Sequence, residues 1–149
     1  MMRISAKGRY AVAAVVCMAQ QYGCGEHITV ISISEKLGIS KIYLEQVFSL
    51  LKKANIVRST KGAQGGYQLT RMPGQITVLD VLLAAESSLF EATQETVQEK
   101  APEIEAAMRL SAFDVLDKNL KDTLSSITIA ELMNEAEKHK DNNVMMFYI

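Results

Sequence analysis

Two short helical patterns separated by a glycine constrain the fold of this chain more than any other feature. In "TVISISEKLGIS", apolar residues share one face of a helix that Thr29 or Ser32 can cap and that Gly38 ends. Ser40 follows as the cap of a second helix, "KIYLEQVFSLLKKAN". Apolar residues at i, i+3, i+4 and i+7 predict that this second helix has a core-facing stripe, formed by Leu44, Val47, Phe48 and Leu51. Two helices joined by a tight turn containing glycine predict a helix-turn-helix.

The opposite face of the second helix carries mainly polar side chains. At about 100° per residue, the side chains that point away from the stripe are Ile42, Glu45, Gln46, Ser49 and Lys53. In a helix-turn-helix, the N-terminal residues of the second helix reach base edges in the major groove. Gln can bond adenine, Glu can accept from cytosine, and an exposed Ile can contact a thymine methyl. We predict that this face reads DNA; an ordinary solvated face is the alternative.

Three glycines lie close together in "KGAQGGYQL", residues 61–69, between two segments that alternate like β-strands, "IVRST" and "YQLTR". Glycine permits positive φ and a close approach of the backbone to another surface. A hairpin tipped with Lys61 can lie along a phosphate chain or enter a minor groove. A plain hairpin turn is one alternative, and a nucleotide-binding loop is disfavoured because no Gly-Lys-Ser/Thr and no helix follow. Because the hairpin directly follows the helix-turn-helix, we predict a wing.

Charge divides unevenly along the 149 residues, although the net charge is only -1. Residues 1–75 contain ten Lys or Arg and three Asp or Glu, whereas residues 76–149 contain six and fourteen. The basic half favours a polyanionic partner, with chance segregation of surface charge as the alternative. No apolar run approaches the ~20 residues of a membrane span, no signal peptide is recognisable, and two cysteines make no disulfide framework. We expect a cytoplasmic protein.

Further helices are predicted on both sides of this region. The first is predicted from Ser5, its cap, to Tyr22, and because it is apolar nearly all round we expect it to pack on both halves of the chain. Pro102 precedes a long helix over residues 103–125 with a broad apolar stripe. A monomer of this size has difficulty covering such a stripe, so we expect a partner helix from a second copy.

These elements predict a mainly α fold, a winged helix-turn-helix DNA-binding domain with a two-stranded β-hairpin wing plus a long dimerisation helix. We place the DNA-binding domain at residues 1–85, with its first helix also packing on the dimerisation region. Residues 86–149 then supply a loop, the long dimerisation helix, a final helix and a C-terminal tail. An enzyme is disfavoured because His27 and His139 stand alone, and the Glu103/Glu105 pair is more simply a solvated face.

Three stretches, "ISAKGRYAV", "GISKIYLEQVFSLLKKANIV" and "KGAQGGYQL", resemble the bacterial winged-helix regulators of the Rrf family that include IscR, NsrR and CymR. The resemblance covers essentially the whole chain and is strongest in residues 3–82. It implies a homodimeric DNA-binding transcription factor, a repressor rather than an activator, with its recognition helix at residues 41–55 and its wing at residues 61–66. It also places the N-terminal motif of residues 5–10 near the DNA backbone.

The candidate DNA contacts follow from the helix face, the glycine hairpin and this resemblance. Candidates for reading bases are Ser40, Lys41, Ile42, Glu45, Gln46 and Ser49. Candidates for contacting the backbone are Ser5, Lys7, Arg9, Tyr10, Tyr43, Lys61, Gly62, Gly65, Gly66 and Tyr67. A dimer of this kind would bind a pseudo-palindromic operator with half-sites about 34–36 Å apart.

The resemblance also bears on cofactors. Iron–sulfur members of the family carry three clustered cysteines between the fourth helix and the dimer helix, but residues 86–102 of this chain contain none. Leu110 stands where a histidine ligand would fall. We therefore expect no cluster, no metal and no other cofactor, which makes the chain closest in character to the clusterless, CymR-type members.

The two cysteines differ in their surroundings. Cys17 lies on the apolar stripe of the first helix, so we expect it to pack in the core. Cys24 lies between two glycines, where an exposed thiol could be oxidised and change DNA affinity. This makes a thiol- or redox-responsive regulator an alternative, beside the simpler interpretation of an incidental surface cysteine.

The chain ends in an apolar run after a polar spacer, residues 140–143. One interpretation is that this tail docks on its own dimer. The ending "MFYI" also resembles that of the cysteine-metabolism repressors in the family, whose co-repressor is cysteine synthase (O-acetylserine thiol-lyase). Capture of a C-terminal carboxylate by backbone donors is a recognised mode of peptide binding. On that resemblance, Phe147, Tyr148 and Ile149 are candidates for binding cysteine synthase.

Overall fold

The computed structural model describes residues 4–23, 27–61, 65–91 and 94–147, with side chains described as far as Asp141. The described residues form seven α-helices and one two-stranded antiparallel sheet. In chain order the elements are α1 (Ala6–Ala19), α2 (Val30–Leu37), α3 (Lys41–Lys53), β1 (Val57–Ser59), β2 (Tyr67–Leu69), a 3-10 turn (Pro73–Gln75), α4 (Val78–Ala85), α5 (Pro102–Met108), a π-helical turn (Arg109–Phe113), α6 (Asp114–Ser126) and α7 (Ile129–Phe147).

Helices α2 and α3 form the predicted helix-turn-helix. The hydroxyl of Thr29, rather than that of Ser32, caps α2 by accepting from the Ser32 N–H. Gly38 ends α2 in the left-handed region at φ 67°, and Ser40 caps α3 by accepting from the Tyr43 N–H at 3.2 Å. The predicted stripe of α3, Leu44, Val47, Phe48 and Leu51, is completely buried. Helix α3 ends at Lys53, two residues earlier than predicted, and Asn55 then adopts a positive φ of 61°.

Helix α1 lies at the centre of the core and contacts α2, α3, α4, α7 and β2. It therefore packs on both halves of the chain, as predicted. The Ser5 hydroxyl caps it by accepting from the Gly8 N–H at 3.2 Å. The helix ends at Ala19 rather than Tyr22, because the N–H groups of Gln21 and Tyr22 bond to carbonyls only three residues back and tighten the chain into a turn.

The wing is a short hairpin in which Val57 pairs with Leu69 and Ser59 with Tyr67. Its inner edge is completed by a residue from before α2. The N–H of Ile28 donates to the Tyr67 carbonyl at 3.0 Å, and the N–H of Tyr67 donates to the Ile28 carbonyl at 2.9 Å. The pairing fixes the hairpin against the start of the helix-turn-helix.

Helices α4 and α7 begin side by side. Thr77 and Asp80 form a capping box at the start of α4. The Val78 N–H donates to the Ile127 carbonyl at 2.9 Å, and the Ile129 N–H donates to the Ile76 carbonyl at 2.8 Å. These bonds tie the start of α7 to the start of α4, which belongs to the predicted DNA-binding domain. Ile129 lies in the same core as α1, and the boundary between residues 85 and 86 stays a prediction.

The predicted long helix is present as continuous helical backbone from Pro102 to Ser126, but a π-helical turn at residues 109–113 interrupts it. Its apolar side chains are between 48% and 59% exposed at Ile104, Leu110, Phe113, Val115 and Leu116. The stripe predicted to need a partner is thus uncovered in the single chain.

Glu105 lies in a different environment from the one predicted. It does not lie on a solvated face with Glu103, because only 8% of it is exposed. Its two carboxylate oxygens accept hydrogen bonds from the backbone N–H groups of Thr96 (3.0 Å) and Val97 (3.2 Å). Charge-assisted bonds of this kind offset the desolvation of a buried carboxylate, and they fix the segment before α5 onto that helix.

The end of the chain also differs from expectation. The polar residues 140–143 and the first residues of the predicted tail are helical, because α7 continues to Phe147. Tyr148, Ile149, Cys24 and Gly62 lie outside the described residues, as does the side chain of Phe147. Among the helices that the structure describes, none is both long and apolar enough to span a membrane.

Candidate nucleic-acid interface

The outward face of α3 presents the side chains predicted to read bases. Ile42 is 73% exposed, and Lys41, Glu45, Gln46 and Ser49 are also exposed. These side chains are exposed because the opposite stripe is buried in the core, so α3 cannot rotate to bury this face. Ser40 uses its hydroxyl as the helix cap, so its contribution at this face is to fix where α3 begins.

Two of these side chains already interact with each other. Lys41 Nζ lies 3.8 Å from a carboxylate oxygen of Glu45, one helical turn away. Both side chains are more than half exposed, and an exposed pair of this kind stabilises the helix by only about 0.3–0.5 kcal/mol. The pair is therefore weak enough to open when either group meets a base or a phosphate.

The beginning of α1 lies beside this face. Lys7 borders a shallow depression together with Ile42, Glu45, Gln46 and Ser49 of α3. Arg9 is exposed on the same helix. The rings of Tyr10 and Tyr43 meet edge to face, with centroids 5.3 Å apart and an interplanar angle of 88°. This contact joins the N-terminal motif directly to the recognition helix.

An open groove of about 770 Å³ separates α3 from the wing. Thr29 and Ile31 of the α2 region, Lys41 and Glu45 of α3, and residues 59–60 and 65–67 of the hairpin line it. Lys61 is exposed at the start of the wing loop. The predicted reading helix and the predicted wing therefore lie on two sides of one groove.

Tyr67 packs on the core as well as lining this groove. Its ring stacks on the buried ring of Phe48, with centroids 4.7 Å apart and planes 23° from parallel. Tyr67 therefore anchors the wing on the core, and its contact with DNA stays a prediction.

Two wing residues have roles that sequence reasoning missed. Arg58 is exposed on β1, with its guanidinium 3.4 Å from the Gln68 side-chain oxygen of β2. Strand alternation could have identified Arg58 as an exposed residue, because successive side chains point to opposite faces and its neighbour Val57 is apolar. Gly66 brings the backbone against another strand: a Cβ there would lie 3.1 Å from both the Ile28 carbonyl oxygen and Cδ2 of His27. The glycines predicted that the backbone closely approaches another surface. At Gly66, that surface belongs to the same chain.

Comparison with known proteins identifies the architecture. A family profile described as "Rrf2: Iron-dependent Transcriptional regulator" matches residues 4–135. This chain belongs to the Rrf2 family. The helix-turn-helix transcriptional regulator IscR of Sodalis glossinidius (strain morsitans) is 38% identical over 136 residues, which cover 91% of this chain and 81% of that protein. The resemblance predicted from the three sequence stretches is confirmed.

Solved structures of Rrf2 regulators share the fold. IscR of T. potens superimposes with a TM-score of 0.72 at 35% identity, covering 93% of this chain and 90% of the other. CymR, the global cysteine regulator of B. subtilis, gives a TM-score of 0.69 at 30% identity, covering 91% and 98%. The mainly α, winged-helix fold is therefore confirmed, and the chain is a DNA-binding transcriptional regulator.

The description of the Rrf2 family names iron, and the donor groups of this chain do not fit an iron–sulfur cluster. Such clusters are held chiefly by thiolates, and the segment 86–102 contains no cysteine. Cys17 is buried in α1, where burial raises the pKa of its thiol, opposed by the charge of Lys36. Within the described ranges, no three His, Cys, Asp or Glu side chains gather closely enough to hold a metal ion.

Gly66→Ala is expected to destabilise the wing. Its φ of 154° lies in a region that side chains other than glycine rarely adopt, and the added methyl would press on Ile28. We expect a loss of about 1–3 kcal/mol in the free energy of unfolding, measured by urea denaturation, and faster hydrogen exchange at the Tyr67 amide. Gly65→Asn is the matched control, because Gly65 faces open space at φ 66°, which asparagine tolerates. Unchanged stability of Gly66→Ala would contradict this interpretation.

Proposed function

We propose that this regulator is a homodimeric repressor that reads a pseudo-palindromic operator with α3, while α1 and the wing contact the DNA backbone. The observation that carries the proposal is the arrangement of groups on one surface: the exposed Gln46 and its neighbours on α3, the half-buried Lys7 beside them, and the wing across the groove. The excess of Lys and Arg in residues 1–75 supports a polyanionic ligand. Base contacts would supply specificity and phosphate contacts orientation. The names of the relatives support regulation rather than catalysis as the role of the chain.

The dimer is proposed from the long helix. Five large apolar side chains between Ile104 and Leu116 are about half exposed, which is unusual for a chain that remains alone in water. A second copy packed across a two-fold axis would cover the same residues on both chains. Such a dimer would also present two α3 helices to successive turns of DNA, as a pseudo-palindrome requires.

The absence of an iron–sulfur cluster is proposed from the donor groups. The segment between α4 and α5, where iron–sulfur relatives bear their cysteines, is fixed here by Glu105 through the N–H groups of Thr96 and Val97. A carboxylate of the chain thus holds this segment without metal. Stoichiometric iron and sulfide in the purified protein would contradict the proposal.

Control of cysteine or sulfur metabolism is the finer part of the proposal. Its support is the resemblance of the chain ending to that of cysteine-metabolism repressors, together with the structural similarity to the global cysteine regulator of B. subtilis. In this scheme the C-terminal residues 147–149 bind cysteine synthase.

Two substitutions separate base reading from backbone contact. Gln46→Ala is expected to lose about 1–3 kcal/mol of discrimination at one base-pair position, because glutamine can bond adenine at two atoms. Lys61→Ala is expected to weaken binding to all duplexes nearly alike and to reduce the slope of log affinity against log salt by about one. Binding sites selected from a random duplex pool, followed by titrations at several salt concentrations, supply both measurements. A Gln46→Ala variant with unchanged preference at every position would contradict the assignment of α3.

Leu116→Glu tests the dimer. A charge in the centre of the exposed stripe would have to be buried without a partner, so the variant is expected to sediment as a monomer where the wild type sediments as a dimer. Met72→Glu is the control, because Met72 is also 57% exposed but lies outside the long helix. Dimers of equal strength in both variants would place the interface elsewhere.

Deletion of Ile149 tests the partner. Titration of the host's cysteine synthase into the full-length chain is expected to give saturable binding that the truncated chain lacks, because the deletion removes the Ile149 side chain and moves the terminal carboxylate back by one residue, onto Tyr148. Lys138→Ala, an exposed change earlier in α7, should bind like the wild type. Equal binding by the truncated chain would rule the tether out.

A further inference from the structure

Glu86, the first residue after α4, contacts the beginning of α1. Its Oε1 accepts a hydrogen bond from the backbone N–H of Ser5 at 2.6 Å. The same carboxylate lies against Gly8, where an added Cβ would be 2.8 Å from Oε1 and 2.9 Å from Cδ of Glu86. The contact therefore depends on an acceptor at position 86 and on the absence of a side chain at position 8.

The contact lies where the DNA-facing surface meets the segment that leads into the long helix. Lys7, between Ser5 and Gly8, borders an open groove of about 690 Å³ together with Glu86 and Tyr43. Lys7 also borders the depression on the outward face of α3 that includes Gln46. In the other direction, Glu86 begins the segment that Glu105 fixes onto α5. Ser5 and Glu86 are 81 positions apart in the chain, so their bond joins two distant parts of the molecule.

We propose that Glu86 is a positioning residue for DNA binding. By holding the first turn of α1, it orients Lys7 toward the DNA backbone, and it makes that orientation depend on the placement of the segment after α4. A hydrogen bond to a carboxylate is stronger than one between neutral groups, and negative charge is favourable at the start of a helix. The proposal rests on the proposed function, since it assigns the phosphate contacts to α1.

The alternative is that Glu86 weakens DNA binding. A carboxylate close to bound phosphates repels them, so removing its charge would strengthen binding to every duplex. Positioning and repulsion make opposite predictions for Glu86→Ala. They also differ for Gly8→Ala, which displaces the carboxylate without changing the charge of the chain.

The experiment compares full-length variants on two duplexes, one selected by the wild type from a random pool and one unrelated. Glu86→Ala and Gly8→Ala are each expected to bind both duplexes about tenfold more weakly, the size of one lost charge-assisted hydrogen bond. The salt slope should fall by about one as a phosphate contact is lost. The double variant should bind no more weakly than either single one, because both changes break the same contact.

Two variants act as controls. Glu86→Gln keeps an oxygen acceptor for the Ser5 N–H and is expected to bind within about threefold of the wild type. Glu91→Ala removes a charge from an exposed position in the same segment and measures the effect of charge alone. Thermal unfolding of every variant is measured as well, to show that weaker binding is not caused by a loss of folding.

Three results would overturn the proposal. Tighter binding by both Glu86 variants with Gly8→Ala unchanged would mean that the carboxylate only repels DNA. Weaker binding with an unchanged salt slope and a lowered melting temperature would mean that the contact only stabilises the fold. Multiplicative losses in the double variant would mean that the two residues act separately. If the wild type bound neither duplex, the proposed function itself would fail, and the role of Glu86 with it.

Discussion

The burial of α1 is the constraint on which the rest of this structure depends. Ala11, Ala14, Val15 and Met18 are at most 1% exposed, and the helix touches α3 and the wing on one side and α4 and α7 on the other. Alanines along its buried face let neighbouring helices approach closely, and larger side chains in such a core typically cost about 1–3 kcal/mol. Because the first turn of the same helix carries Lys7 and Arg9, the packing of the core also determines where these cations lie. The placement of the candidate interface therefore depends on how the core packs.

Much of the fold was predictable because its signals are local. The caps at Ser5 and Ser40 and the capping box at Thr77 are decided within one helical turn, and the structure contains all three. The buried stripe of α3 follows from spacing alone. The pairing of Ile28 with Tyr67 was not predictable in this way, because a single isolated pair leaves no alternation in the sequence. The π-helical turn at residues 109–113 was not predictable either, because it inserts one extra residue into a helical turn and leaves no mark in the amino-acid composition.

The candidate interface likewise has features that the sequence pattern predicted and features that it did not. Periodicity identified the exposed face of α3, since exposure there is the complement of a buried stripe. It did not reveal that the ring of Tyr67 anchors the wing, because the partner of that ring, Phe48, lies on another element. It also treated Glu105 as solvated, because a carboxylate pair on a helix does not reveal the backbone N–H groups of Thr96 and Val97 that cover one member. Residues whose roles depend on distant partners are those that required the three-dimensional structure.

The length of α7 has a consequence for any partner that takes the end of the chain. The backbone is helical as far as Phe147. An enzyme pocket that accepts an extended peptide would bind this end only in molecules whose last turn has melted. The observed dissociation constant would then exceed the intrinsic one by the reciprocal of the melted fraction. Conditions that strengthen the final turn would release such a partner without any change in its pocket.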